Sequence, residues 1–330
     1  MRGDPTPPGT RDVLPDEMRE LRALESRLLD CFEAYGYGPV MTPTIEYDDG
    51  GLREDSASGS LRFLDEAGDL LVLRSDMTIP VARLVSSRLS DQEPPIRLCY
   101  SARSFRTVSP QRGEAREFTQ IGVESFGVPA PQGTAEVVEV LGAALDAAGL
   151  PQATIGLGDA LLFGRALDEL GASEGLREEA IALLAARDLV GLEAWLRSSD
   201  LSADAAEALC RLAALRGGPE VLEQARDLAG GALAPAVDRL AETYAAIEAG
   251  GAAERVRLDL GLLRDRGYYS GAILEVYDPS LGRILGGGGR YDSLMDRFDS
   301  DLPAAGFSLY LDRLHAAEAA PGEGEAGVER

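Results

Sequence analysis

Residues 118–126 (FTQIGVESF) decide the fold, because apolar Ile121 and Val123 alternate there with polar or small residues. This alternation is typical of a β-strand that turns one face to a hydrophobic core. Gln120, Gly122 and Glu124 project together from the other face. Since glycine has no side chain, the space between the amide and the carboxylate is open to a ligand.

The segments around this strand predict an α+β protein. Residues 16–36 have leucines at helical spacing and Gly36 as a stop, and residues 133–148 follow as a second helix. Further strands are predicted at residues 69–74, 255–261 and 272–277.

Between these strands the sequence changes character. Residues 160–250 are rich in leucine and alanine and are predicted to form an all-helical insertion. It divides a core predicted at residues 1–159 and 251–318. Residues 319–330 contain Ala, Gly, Glu and Pro and are expected to be a disordered tail.

The composition excludes several kinds of chemistry. The chain has no lysine, so a Schiff base and a P-loop lysine are both excluded. One histidine, His315, and three scattered cysteines are too few for a typical structural zinc site. We therefore expect no metal and no cofactor, and a site built from arginines, carboxylates, tyrosines and backbone groups.

The net charge of −24 argues against nucleic-acid binding, which depends on cationic patches. A saline habitat or a GC-rich genome would produce the same composition, so both explanations stay open. No apolar run reaches the roughly 18 residues of a membrane helix. A soluble cytoplasmic protein with free thiols is expected.

Three charged segments could form a site: residues 73–78, residues 105–106 with 116–124, and residues 264–271. Together they supply carboxylates for an ammonium group and arginines, which bind a carboxylate bidentately. Glu124 and a tyrosine hydroxyl could flank a group of the size of imidazole. Such a set suits an α-amino acid, although ordinary ion pairs at strand ends would have the same composition.

The order of these segments resembles the catalytic core of class II aminoacyl-tRNA synthetases, and specifically histidyl-tRNA synthetase. Residues 8–15 (PGTRDVLP) resemble the opening of that family, and residues 35–46 (YGYGPVMTPTIE) resemble its motif 1. Residues 105–127 resemble motif 2, and residues 303–314 (PAAGFSLYLDRL) resemble motif 3. The resemblance implies an antiparallel sheet flanked by helices, and a dimer formed through motif 1.

The resemblance also assigns a histidine pocket. Its implied members are Asp76, Thr78, Arg106, Gln120, Glu124, Arg264, Tyr268 and Tyr269. Asp76 replaces a glutamate of the family, and residues 265–267 depart from the usual glycine-leucine-aspartate. Strand-end packing remains the alternative for the two tyrosines.

The nucleotide side departs further from the family. Arg116 and Arg313 match arginines that could contact a nucleotide or a phosphate, but Val108 and Ser109 replace a charged pair, and Glu114 stands where a basic residue is usual. Motif 3 normally has glycines against which the base lies. Here Leu309, Tyr310 and Leu311 fill that stretch, and Asp312 replaces the usual glutamate.

After motif 3 only about sixteen residues follow, whereas histidyl-tRNA synthetases continue with an anticodon-binding domain on the order of 100 residues. The sequence therefore most resembles the regulatory subunits of ATP phosphoribosyltransferase. That resemblance implies no catalytic residues, no tRNA and no membrane. It implies a homodimer within a hetero-octamer, a short-form catalytic subunit as partner, and histidine as ligand in the first step of histidine biosynthesis.

Two alternatives stay open. A free-standing histidine-activating synthetase core would use Arg106, Arg116 and Arg313 to form histidyl-adenylate. A histidine sensor that acts on another partner is the third hypothesis.

Overall fold

The computed structural model describes residues 6–48, 59–107, 115–263 and 267–319. Within these ranges the helices are α1 (Pro15–Ala34), α2 (Thr78–Arg88), α3 (Gln132–Ala147), α4 (Leu162–Glu169), α5 (Glu174–Ala185), α6 (Leu189–Ser198), α7 (Ala203–Ala214), α8 (Glu220–Arg226), α9 (Ala234–Ala249), α10 (Asp292–Asp296) and α11 (Leu311–Glu318). The strands are β1 (Gly38–Pro39), β2 (Ile45–Tyr47), β3 (Leu61–Leu64), β4 (Leu70–Leu73), β5 (Ile96–Phe105), β6 (Glu117–Phe126), β7 (Thr154–Asp159), β8 (Arg216–Gly217), β9 (Val256–Asp259), β10 (Ala272–Asp278), β11 (Leu281–Arg290) and β12 (Ala304–Tyr310).

Nine of these strands form one sheet in the order β1-β5-β6-β12-β11-β10-β7-β9-β8, and β2-β4-β3 form a second sheet. Strand β6, the predicted decisive strand, lies between β5 and β12. Its register places Glu124 opposite Gly306 and Gln120 opposite Tyr310. The predicted α+β class, a sheet flanked by helices, is confirmed.

One face of the large sheet is covered by α1, α3 and α11. Leu21, Leu24 and Leu28 form the buried stripe of α1 with Phe32, and they belong to the same apolar cluster as Ile121 and Val123 of β6. Each such buried side chain stabilises the fold by about 2 kcal/mol. The helix ends at Ala34, and Gly36 follows with a φ of +83°. The predicted stop is therefore confirmed.

The other face carries α2, α10 and a second apolar cluster. Met77, Ile79, Tyr100, Phe126 and Tyr291 are buried in it. Because side chains alternate along a strand, this face also receives Gln120, Gly122 and Glu124 of β6. The predicted polar residues therefore lie in an otherwise apolar layer.

The sheet is mainly antiparallel, but β1 pairs with β5 and β7 with β9 in parallel. Parallel strands need a crossover connection, and helices α4 to α9 provide it between β7 and β9. The segment predicted to be all-helical departs from that prediction in one respect. Residues Arg216–Gly217 form β8, which pairs with β9 at the edge of the sheet.

Candidate ligand-binding site

Glu124 is the centre of the candidate site, and its side chain is only 1% exposed. The Tyr100 hydroxyl donates to its Oε1 atom over 3.1 Å, and the Tyr291 hydroxyl donates to its Oε2 atom. Thr78, the first residue of α2, supplies a third side-chain hydrogen bond. A buried carboxylate is tolerated here because three hydroxyl groups replace its water.

Burial and, to a smaller extent, the nearby charge of Asp76 raise the pKa of Glu124 to about 7. The hydrogen bonds from Tyr291, Thr78 and Tyr100 act in the opposite direction, because they stabilise the ionised form. Burial also raises the pKa values of Tyr100 and Tyr291 well above 10, so both hydroxyls remain donors. Near neutral pH the Glu124 carboxyl can therefore take up or release a proton.

The floor of the site is backbone. A Cβ atom built on Gly306 would lie 1.8 Å from Glu124 Oε2, so only glycine permits the carboxylate to lie there. Gly289 on β11 has a φ of +150°, and a Cβ there would lie 2.3 Å from the Ala272 carbonyl oxygen and 3.0 Å from the Tyr269 ring. Both glycines thus permit a close approach of strands and side chains.

The remaining polar members lie around this floor. Asp76 is 7% exposed, and its carboxylate accepts a 3.1 Å hydrogen bond from the Ile79 amide. Gln120 accepts a 2.7 Å hydrogen bond from Ser104 and donates a 3.1 Å bond to Ser308. These two hydrogen bonds fix which atom of the Gln120 amide is the oxygen and which is the nitrogen, and they hold the side chain in one orientation.

A small pocket of about 10 Å³ lies on the glycine floor, with room for about one water molecule. It is lined by Thr78, Tyr269, Gly287, Gly288, Tyr291, Gly306, Phe307, Ser308 and Tyr310. An amino acid is larger than this space, so its binding requires wall side chains to move. Tyr269 is half-buried and lies outside the helices and strands, whereas Tyr310 is only 9% exposed.

A second, larger cavity of about 930 Å³ opens beside it. Its charged lining residues are Arg11, Arg103, Arg106, Arg283, Arg313, Glu25, Glu117 and Asp312. The Arg106 guanidinium lies 4.0 Å from the Phe118 ring centre, and its buried Nε atom has no hydrogen-bond partner among the described residues. The cavity therefore presents an arginine that is stacked on a ring and forms no ion pair with a carboxylate of the described residues.

The structure brings most of the predicted residues together. Asp76, Thr78, Gln120, Glu124, Tyr268 and Tyr269 surround the small pocket or support its walls. Arg106 and Arg313, by contrast, line the larger cavity, and the Arg116 carbonyl accepts a hydrogen bond from the Arg106 amide. Arg264 lies outside the described residues, as do positions 108, 109, 114, 265 and 266.

Sequence reasoning missed Tyr100 and Tyr291, which bind Glu124 directly. The signal for Tyr100 is its place opposite Gly122 in the β5–β6 register, which requires the pairing to be known. Tyr291 follows the glycine run 286–289 at the end of β11. The glycine run could therefore have marked Tyr291 as a candidate site residue.

Within the described ranges, no group of three or more His, Cys, Asp or Glu side chains could hold a metal ion. No helix in the same ranges has the length and apolar character needed to cross a membrane.

Sequence comparisons match this chain to a family model and to named relatives. A family model described as histidyl-tRNA synthetase matches residues 9–314. A Moorella thermoacetica protein named ATP phosphoribosyltransferase regulatory subunit is 41% identical over 325 residues, which are 96% of this chain and 82% of that protein. A Bacillus subtilis protein of the same name is 36% identical, over 93% of this chain and 80% of its own length.

Solved structures of the same two kinds of protein superimpose on this chain. A Bacillus halodurans structure, titled as an ATP phosphoribosyltransferase regulatory subunit/histidyl-tRNA synthetase, superimposes with a TM-score of 0.88 at 32% identity, covering 98% of this chain and 84% of that one. Histidyl-tRNA synthetase from Nostoc superimposes with a TM-score of 0.78 at 21% identity, over 94% of this chain and 74% of its own. The second likeness concerns the fold alone.

Proposed function

The chain belongs to the histidyl-tRNA synthetase-like family of ATP phosphoribosyltransferase regulatory subunits, and we propose that it activates a short-form catalytic subunit and senses histidine. The complex would join ATP to phosphoribosyl pyrophosphate in the first step of histidine biosynthesis. The observation that carries the proposal is the buried Glu124 carboxyl, held by three hydroxyls beside Asp76.

This arrangement suits histidine in particular. A ligand imidazole has an ordinary pKa near 6.5, close to the pKa of about 7 that burial gives Glu124. One proton can therefore be shared between the carboxyl group and the ring at neutral pH. Asp76 supplies a second carboxylate for the α-ammonium group, and Gln120 and Thr78 add polar atoms at the side of the pocket.

The nucleotide side supports a subunit without catalysis of its own. The Tyr310 ring packs edge-on against Phe118 with centroids 5.4 Å apart, and the Arg313 guanidinium lies 4.2 Å from its centre. Tyr310 thus occupies space between an aromatic ring and an arginine, where the family resemblance leads us to expect a nucleotide base. No catalytic residue is assigned.

Assembly is proposed from exposed apolar side chains near motif 1. Met41 is 89% exposed, Tyr47 is 70% exposed and Leu64 on the small sheet is 67% exposed. Concentrated apolar exposure marks association surfaces, and a homodimer would cover this region. We propose a cytoplasmic hetero-octamer with the catalytic subunits. The net charge of −24 supports a complex that does not bind tRNA.

Feedback would operate by linkage. Histidine lowers the activity of the complex only if it binds an inactive state more tightly than an active one, with a typical coupling of about 1 to 3 kcal/mol. Because the pocket holds only about one water in the structure, binding must open it. That opening supplies a conformational change to which the catalytic partner can respond.

The test is to purify a short-form catalytic subunit with and without this chain and to measure phosphoribosyl transfer to ATP. We expect a higher rate with the chain, and inhibition by histidine that Glu124→Ala weakens. A rate that this chain does not change refutes the regulatory role. Histidine-dependent exchange of labelled pyrophosphate into ATP by the chain alone would instead support the synthetase alternative.

A further inference from the structure

Tyr310 is the one residue, among those that the structure describes, that lines both the small pocket and the large cavity. We propose that its ring is a fixed partition that restricts the pocket to free histidine and excludes ligands extended at the carboxyl group. The inference rests on the proposed histidine binding and adds a specificity-determining residue to it.

The ring is held from several sides. Phe118 packs against it at an interplanar angle of 73°, and the guanidinium groups of Arg313 and Arg106 lie 4.2 and 5.4 Å from its centre. Its backbone pairs with Gln120 at the end of β12, and α11 begins at the next residue. Moving the ring would break both cation–π contacts.

The strand register orients the ligand relative to this ring. Glu124 lies opposite Gly306, Ser308 is two residues along β12, and Tyr310 is two further. At about 3.4 Å per residue, Ser308 is roughly 7 Å from Gly306, and Tyr310 roughly 14 Å. Histidine spans roughly 7 Å from its ring to its carboxylate, judged from bond lengths of about 1.5 Å.

A histidine that has its imidazole at Glu124 and extends along β12 would place its carboxylate at the level of Ser308. Any atoms attached to that carboxylate would continue along β12 and meet the Tyr310 ring. The free amino acid fits on the near side of the partition, whereas a dipeptide or an ester reaches through it.

The space behind the ring would accept such an extension. The large cavity of about 930 Å³ has Arg106 and Arg313 next to Tyr310, and Arg283 of β11 also lines it. Arg283 is exposed and forms no ion pair with another described residue. Removal of the ring would join the two spaces and give an extended ligand both room and positive charge.

The experiment compares L-histidine with L-histidylglycine, whose carboxylate lies one residue further on. Isothermal titration calorimetry is performed on the full chain in its wild-type, Tyr310→Gly, Tyr310→Ser and Tyr310→Phe forms. The wild type and Tyr310→Phe should bind the dipeptide at least about tenfold more weakly than histidine, since both retain the ring. In Tyr310→Gly and Tyr310→Ser this ratio should fall to within about threefold.

The outcomes separate the two proposals. If the wild type binds both ligands with equal affinity, or if the ring-less variants bind histidine and keep the tenfold ratio, the partition is refuted while histidine binding stands. If the wild type binds no histidine, the proposed function fails and the partition with it. If the ring-less variants lose histidine binding, Tyr310 is a direct ligand contact instead of a partition, and the inference is overturned.

Discussion

Replacement of Glu124 by glutamine changes the pH dependence of stability in a way that follows from its burial. The carboxyl has a pKa of about 7 in the folded chain and an ordinary value of 4.5. A raised pKa means that the folded chain holds the protonated carboxyl more tightly than the unfolded chain does. The stabilisation is therefore complete below pH 4.5 and is lost as the pH rises through 7.

The size of the effect follows from the shift. The difference between pKa values of 4.5 and about 7, at about 1.4 kcal/mol per pH unit, corresponds to roughly 3.5 kcal/mol over the whole range. Between pH 5 and pH 8 the expected loss is about 2 to 3 kcal/mol, because the unfolded carboxyl is already partly ionised at pH 5. Glutamine cannot ionise and remains able to accept hydrogen bonds, so the variant lacks this loss.

The assay is urea unfolding of both proteins at pH 5, 6, 7 and 8, with free energies from linear extrapolation. The difference between wild type and Glu124→Gln removes the contributions of all other groups. Glu117→Gln is the matched control, because Glu117 lies on the same strand but pairs with the exposed Arg103. If wild type and Glu124→Gln respond in parallel to pH, the carboxyl does not titrate as its burial indicates, and the reasoning is wrong.

Three further predictions concern other parts of the chain. Gly306→Ala should abolish histidine binding in calorimetry, because its Cβ would meet Glu124, and normal binding by this variant would contradict the pocket floor. Gly142→Ala inside α3 is the control, and it should raise the unfolding free energy by about 0.5 to 1 kcal/mol. Arg97→Met should lower the unfolding free energy by about 1 kcal/mol, since it removes a partly exposed bidentate pair with Glu136, and an unchanged urea midpoint would count against this. Burial raises the pKa of Cys99 to about 11, so iodoacetamide at pH 8 should modify it only after unfolding, as mass spectrometry would show; rapid modification of the native chain would disprove its burial.

The sequence predicts those features that depend on local spacing. The alternation around Gly122 places Gln120 and Glu124 on one face of β6, and the leucine spacing predicts α1 to within two residues of its observed ends. Both follow from the periods of a strand and a helix, which a single segment contains completely.

Contacts that depend on pairing between distant strands escape local patterns. Tyr100 and Tyr291 contact Glu124 only because β5, β6 and the end of β11 come together on one face of the sheet. The residues next to Tyr100 do not distinguish it from an apolar core tyrosine, and the glycine run before Tyr291 does not by itself point to Glu124. For the same reason, the sequence of motif 3 does not predict that two cavities meet at Tyr310.

Charge alone is also ambiguous. Arg74 belongs to the first charged segment, which could have faced a ligand. In the structure its guanidinium donates to the Thr42 and Arg103 carbonyl oxygens over 2.8 and 2.7 Å. Arg74 therefore connects the end of β4 in the small sheet to β5. For this residue the alternative holds in which the charged segment makes polar contacts at strand ends.

The glycine floor has a consequence for how such a pocket can diverge. A floor made of main chain has no side chain to exchange, and at Gly306 any added atom would meet the Glu124 carboxylate. Inherited substitutions can therefore alter ligand preference only at the perimeter, at residues such as Thr78, Tyr269 and Tyr310. The depth of the pocket is therefore set by the main chain, and only the side chains at its perimeter can change during evolution.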